Sequence, residues 1–328
     1  MKLGSLREGG RDGTLIVVSR DLKQAVRAND IAPSLQAALE RWEEVAPALQ
    51  ERADALESGR AEGAFAFKQE EVAACLPRNF QFLDGSAYLP HVARVRKARG
   101  AELPPKLKDD PLMYQAVCDG YDAPRDPILA ASEDYGIDFE SEVGVIVDDV
   151  PMGVTPEEAA GHIKMLCILN DVSLRKLIPD ELAKNFGFVH GKPRSALSPV
   201  AVTVDELGDA WKENKVHLPL VTHLNGELFG NPECGVDMQF SFARLVAHAA
   251  KTRPLSAGTM IGSGTIANED ESRGSSCLAE KNVLEVIKEG EAKTGFMKFG
   301  DEVRIEMFDA EGNSIFGQIH QKVEKYER

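Results

Sequence analysis

Asp138-Phe139-Glu140-Ser141-Glu142-Val143-Gly144-Val145-Ile146-Val147 is the most informative stretch of the 328-residue chain. Its second half is apolar and rich in β-branched residues, which reads as a buried strand. Side chains alternate along a strand, so Glu140 and Glu142 point to one face while Phe139, Ser141 and Val143 point to the other. At that spacing the two glutamate Cα atoms stand roughly 6.5–7 Å apart. Two like charges so placed on a buried face are costly unless something positive sits between them. A hard divalent cation (Mg²⁺, Ca²⁺ or Mn²⁺) meets that need, because it prefers carboxylate oxygens. An edge strand with two solvated glutamates satisfies the same spacing, and Glu-x-Glu alone leaves the two readings level.

Outward from this strand, Thr14–Ser19 is a short apolar strand between Gly-rich turns. Residues 33–57 place apolar side chains at three- and four-residue steps, and Pro47 within that pattern predicts two helices meeting at a kink. A helix is expected over Thr155–Ile168, with Thr155 as cap and Pro156 at its first position. Strands are expected at 198–204, 303–307 and 315–323, and a helix at 238–250. Leu218–Leu224 and Glu227–Gly230 flank Asn225-Gly226, a type I′ hairpin signal. No regular strand–helix alternation occurs, which disfavours a doubly wound sheet. The expected class is α+β, mainly β, with a mixed and largely antiparallel arrangement and peripheral helices. A boundary near residue 78 divides a small N-terminal unit, 1–78, from the remainder, 79–328.

Composition limits the partners. The formal net charge is −15, which argues against nucleic acid or an anionic membrane as the main partner, since both reward basic patches. The hydrophobic share of 43 % is ordinary for a globular chain. No apolar run reaches the roughly 18 residues of a membrane span, and the first residues carry no signal-peptide core. Five cysteines, widely spaced and without a CxxC pair, fit reduced thiols and a cytoplasmic location.

Three further stretches carry candidate chemistry. Gly262-Ser-Gly264-Thr-Ile-Ala267 matches a dinucleotide pattern formally, but the acidic, turn-like residues after it cannot open the helix that a pyrophosphate needs. Asn170-Asp171-Val-Ser173-Leu-Arg175 offers either a surface ion pair or a metal ligand beside an anion-binding arginine. Phe82-Leu-Asp84-Gly-Ser-Ala-Tyr88-Leu-Pro-His91 puts an imidazole seven residues after a carboxylate.

Taken together these residues resemble the fumarylacetoacetate hydrolase family. The family's aspartate–histidine spacing is met by Asp84 and His91, and its buried Glu-x-Glu strand by Glu140 and Glu142. Its Asn-Asp-x-Ser-x-Arg segment begins at Asn170. The lysine before a Ser-Pro-x-Val strand is Lys192, and the Gly-Thr loop is Gly264-Thr265. The resemblance spans about residues 80–328, and residues 1–78 resemble, more faintly, the accessory domain of the longer, fumarylacetoacetase-type members. It implies a mixed β-sandwich or roll as catalytic domain. It further implies that Asp84, Glu140, Glu142 and Asp171 bind the metal, and that His91 is the general base oriented by Glu280. Arg175 and Lys192 would then stabilise charge and hold substrate, together with Tyr114 and Thr265. Ile178 and Ser86 depart from the fumarylacetoacetase branch, which often has glutamine and tyrosine there, and this bears on the substrate more than on the chemistry.

The implied reaction is metal-dependent hydrolysis of the carbon–carbon bond of a β-diketo acid. Fumarylacetoacetate, giving fumarate and acetoacetate in tyrosine and phenylalanine breakdown, is the first expectation. His91 would activate water and the metal would stabilise the enolate. Acylpyruvate hydrolase, 2-oxo acid decarboxylase and 2-hydroxypentadienoate hydratase are the alternatives in the same family, and a non-catalytic calcium-stabilised protein the alternative outside it. The expected partners are a small diketo acid and a second copy of the chain in a homodimer.

Overall fold

A computed structural model describes residues 1–98 and 106–327. The N-terminal segment forms β1 (Lys2–Leu6), β2 (Thr14–Val18), β3 (Gln24–Arg27), α1 (Leu35–Leu39), α2 (Trp42–Glu57) and β4 (Phe65–Ala66). Next come β5 (Phe82–Gly85), α3 (Leu89–Ala98), β6 (Met113–Ala116), β7 (Ile128–Ala130), β8 (Ile137–Asp138) and β9 (Ser141–Val147). The central part contributes α4 (Pro156–Ala160), β10 (Ile163–Asn170), β11 (Ser173–Leu174), α5 (Ile178–Lys184), β12 (Ala196–Leu197) and β13 (Val200–Thr203). After the short strands β14 (Trp211–Lys212) and β15 (Lys215–Val216), the hairpin strands β16 (Leu220–Leu224) and β17 (Glu227–Gly230) precede α6 (Phe242–Ala249) and β18 (Met260–Gly262). The chain closes with α7 (Leu278–Glu289), β19 (Glu302–Met307) and β20 (Ile319–Lys325).

Two sheets organise these elements. The larger runs β4-β3-β2-β1-β13-β10-β9-β18-β5-β6, with β12 also on β10, and the smaller runs β17-β16-β19-β20-β7. Neighbours are antiparallel except β18 with β5 and β20 with β7. The α+β, mainly β class is therefore the observed one. Residues 1–78 supply the strands that extend the large sheet past β13, through β1 paired antiparallel with β13.

Strand alternation builds both layers of the core. Val143, Val145 and Val147 of β9, with Leu166 and Ile168 of β10, face Val303, Ile305 and Met307 of the smaller sheet. On the opposite face Ile146, Met165, Cys167 and Leu169 join the cluster formed with Leu35, Trp42 and Leu49 of α1 and α2. The large sheet is thus covered on both sides at its centre. Two buried polar contacts pin the layers together. Ser141 Oγ meets Thr222 Oγ1 at 2.7 Å, and Asn170 Nδ2 donates to Gln321 Oε1 at 2.9 Å.

The expected helix over 155–168 is mostly strand. Thr155 and Glu158 do form a capping box and Pro156 does open a helix, but that helix ends at Ala160. Ile163–Asn170 then runs as a strand paired with β9, β12 and β13. A strand buried on both faces is a continuous apolar run, and such a run carries no period that separates strand from helix. Asp171 consequently follows a strand. The break expected at Pro47 lies instead between α1 and α2 at Glu40 and Arg41, and α2 passes through Pro47. Glu43 and Pro47 are both exposed, so the carbonyl that loses its partner at this proline has access to water. The hairpin at Asn225-Gly226 forms as expected, with positive φ at both residues.

Asn170 also accepts the Glu140 main-chain N–H at 3.1 Å, so one side chain joins the sheets and fixes the start of β9. Asn170→Ala should lower the unfolding free energy by about 1–3 kcal/mol, read by urea denaturation, because it strands a buried N–H and the Gln321 carbonyl.

Candidate active site

The carboxylates converge because neighbouring strands end together. Asp84 lies on β5, Glu142 on β9 and Asp171 just past β10, with β18 between β5 and β9. Gly262 of β18 pairs with both Asp84 and Gly144. A Cβ on Gly262 would collide with Asp84 Oδ1, so glycine is what lets the Asp84 carboxylate lie over β18. Gly264, with φ of +75°, turns the chain back so that its N–H donates to Asp84 Oδ1 at 3.1 Å. The two glycines of the apparent dinucleotide motif therefore serve a close backbone approach to a carboxylate. Thr265 is buried in the same turn.

One oxygen each from Asp84, Glu142 and Asp171 lies within 4.8 Å of the others, and all three residues are buried. Both Glu142 oxygens are shielded from solvent and have no hydrogen-bond partner among the described residues. Burial, with Asp84, Asp171 and Glu140 close by, pushes the Glu142 carboxyl well above its ordinary range. Burial and the Asp171 charge do the same to Asp84. A dry cluster of this kind needs either protons or a cation. The three oxygens are close enough together to ligate one hard divalent ion, so the residues fit the metal that the sequence suggested.

Glu140 is placed differently. Its Oε2 accepts from Lys192 Nζ at 2.5 Å and its Oε1 from Arg175 Nη2 at 2.6 Å. Burial alone would raise its pKa, but Arg175 and Lys192 outweigh burial and hold the carboxyl far below its usual range. Lys192 also donates to Asp171 Oδ2 at 2.6 Å. Burial would strip its proton, but Asp171 and Glu140 together keep the amine charged and its pKa raised. Arg175 Nε bonds Asp138 Oδ2 at 2.7 Å, and Asp138 accepts the N–H groups of Leu278 and Ala279 at 2.8 and 2.9 Å, at the start of α7. The remaining Asp171 contacts are Ser195 Oγ at 2.7 Å and the Tyr114 hydroxyl at 2.8 Å. Phe188 packs edge-on against the Tyr114 ring, and Lys192 lies over that ring.

His91 projects from α3 toward α7. Its Nδ1 lies 3.1 Å from Glu280 Oε2, and Glu280 is wholly buried. Cys277 completes a second close trio with these two. Burial pushes its thiol up, and both Glu280 oxygens are already engaged, so this trio is a poor metal site. Of the ten residues expected from sequence, nine group around these two centres through the contacts described, and Thr265 joins them by its place in the Gly264 turn.

Sequence reading passed over Asp138 and Arg94. Both had a signal: Asp138 shares the period-two spacing of Glu140 and Glu142, and Arg94 stands one helical turn beyond His91. Ser195 and Phe188 had none, because only the tertiary path of the loop after α5 brings them in. A groove of about 970 Å³ between the N-terminal segment and the sheet contains none of these residues, so groove size does not locate the chemistry.

The sequence model of the fumarylacetoacetate hydrolase C-terminal domain matches residues 81–324, and that of fumarylacetoacetase N-terminal domain 2 matches residues 1–78. A Burkholderia ambifaria protein described as a hydrolase is 25 % identical over 201 residues, covering 60 % of this chain and 65 % of its own. The 2,4-didehydro-3-deoxy-L-rhamnonate hydrolase of a Sphingomonas species is 25 % identical over 164 residues, covering 48 % and 54 %. The chain thus spans less than two thirds of the length of these curated relatives. Among solved structures, maleylpyruvate hydrolase from Sphingobium sp. SYK-6 with manganese(II) and pyruvate superposes with a TM-score of 0.66 at 16 % identity, covering 100 % of both chains. Fumarylacetoacetate hydrolase from Exiguobacterium antarcticum gives 0.65 at 17 %, covering 99 % and 100 %. At such identities the superpositions speak for the fold.

Two measurements probe the carboxylate trio. Raised carboxyls keep protons in the folded, metal-free chain, so that chain loses stability as pH rises through those raised values, whereas a bound cation replaces the protons. The gain in melting temperature from saturating Mg²⁺ or Mn²⁺ should therefore widen between about pH 5.5 and about pH 8. Gly262→Ala should displace Asp84 and weaken metal affinity by about tenfold or more, read by calorimetric titration.

Proposed function

The chain belongs to the fumarylacetoacetate hydrolase family, and from that premise we propose that it hydrolyses the carbon–carbon bond of a β-diketo acid, with fumarylacetoacetate the first candidate. The observation that carries this reading is the His91–Glu280 pair, 3.1 Å apart, near a buried carboxylate trio that calls for a cation. Glu280 on Nδ1 selects the tautomer in which Nε2 is free to take a proton from water. An imidazolium at His91 is within electrostatic reach of Glu140, which supports reading the pair and the carboxylates as one site. A divalent ion held by Asp84, Glu142 and Asp171, with Glu140 behind them, would supply Lewis-acid polarisation of the substrate's oxygens.

The chain's own groups account for the rest. Hydroxide adds to the carbonyl carbon, the adjacent carbon–carbon bond breaks, and the departing carbon takes a proton, for which the imidazolium of His91 is the available donor. Lys192, kept cationic by two carboxylates, and the Tyr114 hydroxyl are the groups beside Asp171 that can favour negative charge on oxygen. Arg175 is occupied by Asp138 and Glu140, so its contribution is to fix Glu140.

That occupation favours a second reading. Fumarylacetoacetate carries a distal carboxylate, and both site cations are already held by protein carboxylates. An acylpyruvate hydrolase needs only the α-keto acid end to be bound. One solved structure of this fold, a maleylpyruvate hydrolase, is in complex with manganese(II) and pyruvate, a small 2-oxo acid. Decarboxylase, hydratase and isomerase activities are further outcomes for the same metal-centred site, and homodimeric assembly belongs to the same proposal.

A panel of fumarylacetoacetate, acylpyruvates, oxaloacetate and 2-hydroxydienoates, followed by ultraviolet absorbance with Mg²⁺ or Mn²⁺, separates these readings. Loss of diketo-acid absorbance that EDTA abolishes is expected, and turnover of oxaloacetate or a dienoate alone would overturn the proposal. His91→Asn should lower kcat by about 10²–10⁴-fold while melting temperature and metal affinity hold. Unchanged turnover in that variant would remove His91 as the base.

A further inference from the structure

Glu280 is a wholly buried carboxylate with two partners. Oε2 faces His91 Nδ1 and Oε1 accepts from Arg94 Nη1 at 2.5 Å. Arg94 and His91 stand three residues apart on α3, on one face of the helix. The other guanidinium nitrogen of Arg94, Nη2, donates to the main-chain carbonyls of Asn268 at 2.7 Å and Glu269 at 3.2 Å. One arginine therefore ties α3 to α7 and to the loop that follows β18. Its side chain is only 11 % exposed, and the bonds to Glu280 and Asn268 are partly buried while that to Glu269 is exposed.

A buried histidine–carboxylate pair without another cation has a difficulty as a general base. The carboxylate on Nδ1 favours the imidazolium, so with no further cation the imidazole holds its Nε2 proton more tightly and less of the free base is present. An arginine on the second oxygen removes the difficulty, since it is charged at every working pH. We propose that Arg94 is a positioning residue that keeps Glu280 anionic and oriented, leaving the His91 imidazole free to give up its proton. The proposal rests on the reading of His91 as general base. The other groups around the pair are Cys277, the cap of α7, whose buried thiol stays neutral, and Glu140, just before β9 and within electrostatic reach of His91. Glu271, bridged to Lys288, acts on Arg94 from outside.

Histidine-selective NMR on the Mg²⁺-loaded protein tests this, with the His91 signal assigned by its absence in His91→Asn. Arg94→Gln should raise the His91 titration midpoint by about one pH unit, about tenfold in proton affinity. Arg94→Lys, which keeps the charge but not the planar fork, should return the midpoint toward that of the parent protein. The acid limb of kcat/KM on whichever diketo acid is hydrolysed should move with the midpoint. If Arg94→Gln fails to fold, Arg94→Met, similar in length and uncharged, takes its place. A midpoint that stays or falls in the uncharged variant overturns the proposal, as does an equal displacement in the lysine variant. A midpoint that moves in a protein hydrolysing nothing in the panel upholds Arg94's role and removes the hydrolase reading instead.

Discussion

Glu140 holds a cation on each oxygen, and the site hangs from that arrangement. From Asp138 through Arg175, Glu140 and Lys192 to Asp171, negative and positive groups alternate in a buried chain, every link between 2.5 and 2.7 Å. Removing one member of such a chain leaves its neighbour charged in a dry place, at a cost of about 3–5 kcal/mol. The chain also reaches beyond the carboxylates. Asp138 accepts the first N–H groups of α7, and α7 carries Glu280. The placement of the histidine pair and that of the metal-competent trio are therefore fixed by one electrostatic framework.

The fold makes that framework affordable in space as well as charge. Gly144 and Gly262 sit side by side on β9 and β18, where a Cβ on Gly262 would meet Asp84 and one on Gly144 would press on Met260, Cys167 and Leu169. Glu142 on β9 and Asp171 just past β10 lie in the middle of a sheet covered on both faces, and all three residues of the trio are buried. Residues 1–78 contribute through α1 and α2, which close the face of the sheet on which Ile146 and Leu169 lie.

Much of the site was legible because its residues follow simple periods. Glu140 and Glu142 alternate with Ser141 and Val143, and in the fold Ser141 and Val143 do face the smaller sheet while the glutamates face away. Two readings failed for a common reason. Ile163–Asn170 and the helix at Pro47 were judged from local pattern, yet burial on both sheet faces in one case and solvent beside an exposed proline in the other settled the outcome. Tertiary surroundings overrode local preference.

By itself the sequence determined which residue types are present at which spacing: acids at period two and a histidine seven residues after an aspartate. These are properties of a strand or a turn, and local covalent geometry sets them. Only the tertiary structure decided how the charges pair. Arg175 lies four residues from Asp171 in sequence but binds Asp138 and Glu140, and Arg94 reaches Glu280 across 186 residues. Charge partners are chosen by distance in the folded interior, where Coulomb energy is weakly screened, and sequence separation carries no information about that distance.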